Sequence, residues 1–298
     1  MDMTEQKNDF GVGSVEQNII RMAVPMTVAQ ILNLLYNLVD RMYIGHIPGA
    51  SSLALTGVGI TFPIISMITA FANLFGMGGA PLCSMARGRR DYDAAKRYMQ
   101  NAFWMLLAAG VVLTVTGYVI EKPLLYALGA SSVTYPYASS YLRIYLLGNM
   151  FVMVGIGMNP FINAQGFGTM GMVTVGLGAL VNIILDPLFI FVFHMGVEGA
   201  AIATIIAQFL SALWVLFFLT GEKPDLRLKI CWRKPEFAVV KEIVSLGLSN
   251  FFMLFTNSLV QVVCNRQLQL YGGDLYVGVM TVLISVRDVA TMVVNGIT

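Results

Sequence analysis

Ala102-Phe-Trp-Met-Leu-Leu-Ala-Ala-Gly-Val-Val-Leu-Thr-Val-Thr-Gly-Tyr-Val-Ile120 holds no charged residue. Ile202-Ala-Thr-Ile-Ile-Ala-Gln-Phe-Leu-Ser-Ala-Leu-Trp-Val-Leu-Phe-Phe-Leu219 is its equal further along the chain. Both are apolar all round. A strand of a membrane barrel alternates apolar and polar residues over about 10 positions. A helix needs about 20 apolar residues to cross the hydrocarbon. These two stretches therefore read as membrane-spanning helices, and the same ruler finds six more. The full set is 18–45, 53–84, 99–120, 138–163, 172–195, 199–219, 243–270 and 275–298. The spacing predicts an all-α polytopic membrane protein with about eight transmembrane helices.

Composition agrees. Of 298 residues, 34 are charged (18 basic, 16 acidic), and 57% are hydrophobic. Mean hydropathy is +0.74. A soluble domain carries about 25% charged residues, against 11% here. An ordinary soluble enzyme, a nucleic-acid binder and a disordered chain are excluded. A net charge of +2 is too small to steer a polyanion. Cys83, Cys231 and Cys264 lie far apart, as do His46 and His194, which argues against a zinc site. The first 17 residues lack the basic-then-apolar order of a cleaved leader.

Loop signals separate the spans: Ile47–Ser52, Ala86–Asp91, Glu121-Lys-Pro123, Thr220–Pro224 and Tyr271-Gly-Gly-Asp274. Lysine and arginine concentrate on the cytoplasmic side of membrane proteins. With the N-terminus inside, the inner segments hold 13 of the 18 basic residues, from Lys7 and Arg21 through Arg87, Arg89, Arg90, Lys96 and Arg97 to the 223–241 group. Lys122 falls in an outer loop and Arg41 at a helix end, while Arg143, Arg266 and Arg287 fall in or near helices. The one long polar segment, 220–242, divides six helices from two. The organisation expected is a six-helix lobe at 1–219, a cytoplasmic linker at 220–242, and two helices at 243–298. Ile19–Gly45 and Ile243–Gly272 share a polar start and a small-residue middle, as if helix seven begins a second copy of the first unit. The last helix runs into Thr298 with no polar flank, so the chain reads as stopping inside a bundle.

A charge at mid-bilayer costs about 2.5–3.5 kcal/mol on insertion scales and needs a reason to stay. Two acids stand out, Asp40 in Tyr36-Asn-Leu-Val-Asp40-Arg41 and Asp186 in Asn182-Ile-Ile-Leu-Asp186-Pro187. Tyr36 precedes Asp40 by one turn and Asn182 precedes Asp186 by one turn, so each pair shares a helix face. A plainer reading pairs Asp40 with Arg41 at a helix end and leaves Asp186 as a structural acid bonded to a neighbouring helix. Two such acids in one bundle point instead to an ion or proton pathway. Pro25 and Pro187 interrupt backbone hydrogen bonding inside helices and are candidate hinges or static bends. Pro63, Pro81 and Pro160 are similar. Gly166-Phe-Gly-Thr-Met-Gly171 matches a dinucleotide-binding pattern but follows a membrane helix instead of a strand, which removes that reading.

Several motifs together resemble the multidrug and toxin extrusion (MATE) family of transporters. They are Pro25 with Tyr36–Gly45, Gly57-Val-Gly-Ile-Thr-Phe-Pro63, Gly88–Asp91 with Ala94-Ala95, Asn182–Pro187, and Gly199-Ala-Ala-Ile-Ala-Thr204. The resemblance runs along essentially the whole chain and is strongest to the bacterial and archaeal branch. It implies a six-helix first lobe plus the first two helices of a second lobe, with four further helices absent. It also implies a cation site in the first lobe at Asp40, Asn182, Asp186 and Thr204, with Tyr36 and Tyr141 nearby, taking a proton or Na+. Those four side chains offer only oxygen ligands, which suits a small hard cation. No cofactor is expected beyond that coupling ion. The expected activity is export of small cationic or amphipathic molecules by a monomeric, multi-pass protein of a prokaryotic cytoplasmic membrane, with its N-terminus inside. Nucleic acid is not an expected partner.

Two other classes compete. A lipid-linked oligosaccharide flippase of related architecture would hold several basic residues in its cavity to grip pyrophosphate. An intramembrane enzyme would need a catalytic set within its helices, and neither histidine is placed to supply one.

Overall fold

A computed structural model describes residues 14–47, 51–229 and 235–295. Every regular element among them is helical. In chain order these are α1 (Val15–Ile44), α2 (Ser51–Gly88), α3 (Tyr92–Ala127), α4 (Tyr135–Leu147), α5 (Asn149–Ala164), α6 (Gly168–Pro187), a π-helical turn (Leu188–Val192), α7 (Gly196–Thr220) and α8 (Phe237–Asn295). Five single helices pass the length and hydropathy test for a span, α4 and α5 pass it as a bent pair, and the 51 residues from Phe237 to Arg287 pass it as one stretch. At 1.5 Å per residue that stretch is about 76 Å long, more than twice the hydrocarbon thickness. It breaks at Gly273, where φ 65° and ψ −165° leave the helical region. Only glycine takes such a conformation at low cost. Two limbs, 237–272 and 274–295, bring the spans to eight.

Four features differ from the sequence reading. Glu121-Lys-Pro123 is not a loop, because α3 continues to Ala127. The Glu121 carboxylate is buried and accepts from Arg143 Nε at 2.7 Å, from Ser139 Oγ and from Tyr135 hydroxyl at 3.5 Å. Satisfied in this way, it extends the helix where an unpaired acid would end it, and Lys122 lies on α3 instead of in an outer loop. The turn between α2 and α3 is shorter than expected. Arg90 takes a positive φ of 61°, and Asp91 caps α3 by accepting from the Ala94 amide at 2.9 Å. The fourth span, expected as one helix, bends by 60° between α4 and α5. At the bend the wholly buried Asn149 donates to Gly110 carbonyl at 3.0 Å and Thr114 hydroxyl at 3.1 Å on α3. A Cβ on the preceding Gly148 would strike Ile205 of α7. The seventh span, expected from 243, starts at Phe237.

Helix α2 is the axis of the bundle. It packs on α3, α4, α5 and α8, while α1 lies on α6, and α7 bridges α5 and α6. Where α2 meets α8 the backbones touch, since a Cβ on Gly78 would strike Ile243 carbonyl and one on Gly247 would strike Leu74 carbonyl. Without a hydrophobic drive in lipid, such close van der Waals contact is what holds helices together. Contacts also sort the helix ends. Arg87 reaches Ala164 carbonyl (3.2 Å) and Asp225 (3.2 Å), and Leu226 amide donates to Gln165 at 2.9 Å. These groups share the end at which α1 starts. At the opposite end Ser131 donates to Asp274 at 2.9 Å. Arg87, Arg89, Arg90, Lys223 and Arg227 thus gather at one end of the bundle.

Candidate functional site

Helices α1, α4, α6 and α7 converge on one polar cluster inside an apolar lobe. Asp40 comes from the last turns of α1 and is 8% exposed, and Asp186, from the end of α6, is wholly buried. Their carboxyl groups are near enough to act on each other. Asn182, one turn before Asp186, donates from Nδ2 to Asp186 Oδ1 at 3.1 Å and to Thr204 Oγ1 of α7 at 3.4 Å. Tyr141 of α4 lies near Thr204 and the two acids. Tyr36 sits beside Asp40. The six residues singled out in the sequence are therefore brought together.

The electrostatic problem is plain. Two carboxylates are acceptors only, and facing each other in a low dielectric they repel. Asp40 Oδ1, Asp186 Oδ2 and Asn182 Oδ1 are buried with no hydrogen-bond partner. Buried polar atoms are nearly always satisfied, and these three oxygens stand without that satisfaction. The Thr204 hydroxyl adds a fourth oxygen. An all-oxygen set of this kind suits a hard cation such as Na+.

Pro187 closes α6 one residue after Asp186, and the chain continues in the wider π-helical turn. Such turns occur often beside functional groups. Pro25 lies inside α1. Asp40's neighbour Arg41 points elsewhere: Nη1 donates to Ser285 Oγ on α8 at 2.7 Å, and the guanidinium lies 4.4 Å from the centre of the Phe62 ring. Arg287 is exposed, and the Asp288 side chain lies outside the described ones.

Sequence reading missed two features. The first is Tyr145, buried and stacked on Tyr141 at 6.2 Å. The second is a cavity of about 440 Å³ that runs from Tyr36, Asn182 and Thr204 toward Met26, Ser84 and Ala164. Besides Asn182 its wall carries six carboxamides, Gln30, Asn33, Asn73, Asn159, Asn163 and Gln208, and among the described lining residues no Lys or Arg. Asn159 Oδ1 and Asn163 Oδ1 are also buried without partners. The available signal was asparagine and glutamine recurring inside apolar spans, which attracts less notice than a charge.

A family model, MatE, matches residues 25–188, more than half of the chain. The chain belongs to this family of multidrug and toxin extrusion transporters. It is 28% identical to the multidrug export protein MepA of Staphylococcus haemolyticus and 26% identical to that of Staphylococcus aureus, each over 269 residues. The matched region is 90% of this chain and 59% of each relative, so the chain spans well under two thirds of their length. Among solved structures, the MATE multidrug transporter DinF-BH superposes with a TM-score of 0.90 at 32% identity, over 99% of this chain and 66% of that one. An outward-facing MATE family transporter of the MOP superfamily gives 0.86 at 25% identity, over 99% and 65%.

Proposed function

We propose that the chain forms the cation-coupling lobe, with part of the second lobe, of an exporter that exchanges protons or Na+ for small cationic or amphipathic drugs. The observation that carries this reading is the Asp40–Asp186 pair, with its orphaned oxygens, beside an uncharged carboxamide-lined cavity. At about 440 Å³ the cavity is in the size range of drug-like ligand sites. Carboxamide acceptors and the nearby negative charge favour a ligand that brings positive charge and N–H donors. Uptake of a proton or Na+ between the carboxylates lowers that negative charge by one. A bound cationic drug is then held less strongly and leaves. Exchange follows if the coupling ion and the drug favour different states of the bundle. Pro25 and Pro187, which weaken α1 and α6 on either side of the pair, are the proposed hinges.

The gathering of basic residues at the end where α1 starts supports a cytoplasmic N-terminus in a prokaryotic cytoplasmic membrane. An uncharged cavity with two acids beside it and no base among its described lining residues disfavours a pyrophosphate-gripping flippase. The activity proposed is transport, not catalysis, by a single copy of the protein. The deciding experiment is efflux of ethidium from loaded cells expressing the full-length transporter, with Asp40→Asn and Asp186→Asn compared against the parent. Loss of export with normal membrane insertion supports the reading, and normal export in both variants overturns it.

A further inference from the structure

The loop between α3 and α4, residues 128–134, lies across the break in α8. Gly129, at a positive φ of 97°, sits against the 237–272 limb, where an added Cβ would come within 3.2 Å of the Asn265 carbonyl and 3.4 Å of the Gln269 Cβ. Two residues on, the Ser131 hydroxyl donates to Asp274 Oδ2 at 2.9 Å, at the start of the 274–295 limb. The loop thus touches both limbs, one on each side of Gly273. Its own turn holds Ser131 for this contact. The Ser131 amide donates to Thr134 Oγ1 at 2.9 Å, and its Oγ accepts from the Val133 and Thr134 amides at 3.2 and 3.1 Å. With the oxygen fixed by those two amides, the one hydroxyl proton is left for Asp274.

The seam between α2 and α8 is built differently at its two ends. Toward the end where α1 starts, the Gly78 and Gly247 contacts are backbone to backbone, the close packing that holds helices together in lipid. At the opposite end the close approaches are glycine to threonine side chain, Gly59 to Thr281 and Gly278 to Thr56, and the loop adds the Ser131–Asp274 bond. A hydrogen bond at a partly exposed end is worth little net, because water takes the place of a lost partner. Asp274 is half-buried, with exposed Leu275 and Tyr276 beside it, so water reaches it once the loop lifts.

We propose that the 128–134 loop is a latch on the seam between the six-helix lobe and the last two spans, with the Ser131 hydroxyl and the Asp274 carboxylate as its catch. Release of the catch lets the two limbs part from α2 at that end, while the Gly78–Gly247 contact holds the other end as the pivot. The proposal does not draw on the reading of Asp40 and Asp186 as a cation or proton site.

The test uses the full 298-residue chain in lipid nanodiscs, with Cys83, Cys231 and Cys264 replaced by alanine. One pair of spin labels, on Val133→Cys and Tyr276→Cys, reports the latched end. A second pair, on Met85→Cys and Leu246→Cys, reports the pivot end, and all four positions are exposed. In Ser131→Ala and in Asp274→Ala the first pair should move to longer distances while the second keeps those of the parent. Asp274→Asn keeps an acceptor for Ser131 and should stay close to the parent. Unchanged first-pair distances in Asp274→Ala would overturn the proposal. Lengthening in Ser131→Ala alone would do the same, because the turn and not the catch would then be the cause. Equal lengthening of both pairs would overturn it as a general loosening of the chain. So would a change in Asp274→Asn as large as in Asp274→Ala, since the hydrogen bond would then not be the agent.

Discussion

At the scale of single residues, the site depends on what each oxygen lacks. Asp186 has one carboxylate oxygen bonded to Asn182 and the other unpartnered. Asp186→Asn keeps the shape and removes the titratable group. Thermal melts of the purified protein should then show no stabilisation by either Na+ or protons, and Asp40→Asn should behave alike. Asn182→Ala removes one candidate ligand and the donor that orients Asp186, while leaving both charges. A hydrogen bond to a charged group contributes about 1.5 kcal/mol, so cation affinity should fall about tenfold. Calorimetric titration reads that directly, and unchanged affinity would remove Asn182 from the site. Tyr36→Phe removes only a hydroxyl and should have a smaller effect than Asn182→Ala in the same titration.

At the scale of elements, buried polar groups decide where helices end and bend. Glu121 carries α3 past the point where its sequence suggests a stop, because Arg143, Ser139 and Tyr135 satisfy it. Glu121→Ala leaves those donors short of an acceptor. The Arg143 side chain is 59% exposed and can return to water, so the loss is that of hydrogen bonds, not of a trapped charge. The expected destabilisation is about 1–3 kcal/mol, measured by reversible unfolding in detergent. Little change would mean that water replaces the carboxylate. Asp91→Ala should cost about 1 kcal/mol in the same assay, by removing the cap on α3. The 60° bend between α4 and α5 comes soon after Tyr141, which lies near the acids, and Tyr145, which stacks on it, so the bend adjoins the site.

At the scale of the whole molecule, two helices join a six-helix lobe along α2. At Gly78 and Gly247 the approach is backbone to backbone. Gly247→Leu puts a side chain against the Leu74 carbonyl, which cannot move aside as a flexible side chain would. The 237–272 limb must then separate from α2. Overpacking typically costs about 1–3 kcal/mol, and the expected outcome is a lower melting temperature with faster proteolysis near residue 235. A melting temperature equal to that of the parent would show that the contact is not tight in the membrane. Exposed apolar residues such as Phe252, Val260 and Val263 remain on that limb, a surface suited to lipid or further helices.

Much of this was legible in the chain. Runs such as 102–120 admit only helices in a membrane, because a polar backbone must satisfy itself there. The carboxylates of Asp40 and Asp186 stood out against that background, since charge in an apolar run is costly. The break at Gly273 was marked by Tyr271-Gly-Gly-Asp274. The sharing of a face by Asn182 and Asp186 follows from helix period alone. Convergence of Asp40, Thr204 and Tyr141 on that face does not follow from any local pattern. It depends on how α1, α4 and α7 cross α6, which side-chain volumes and glycine contacts across the bundle determine together. The burial of Glu121, the bend at Gly148, the carboxamide cavity and the reach of Arg41 to Ser285 depend on partners far away in the chain, and only packing in three dimensions brings those partners into place.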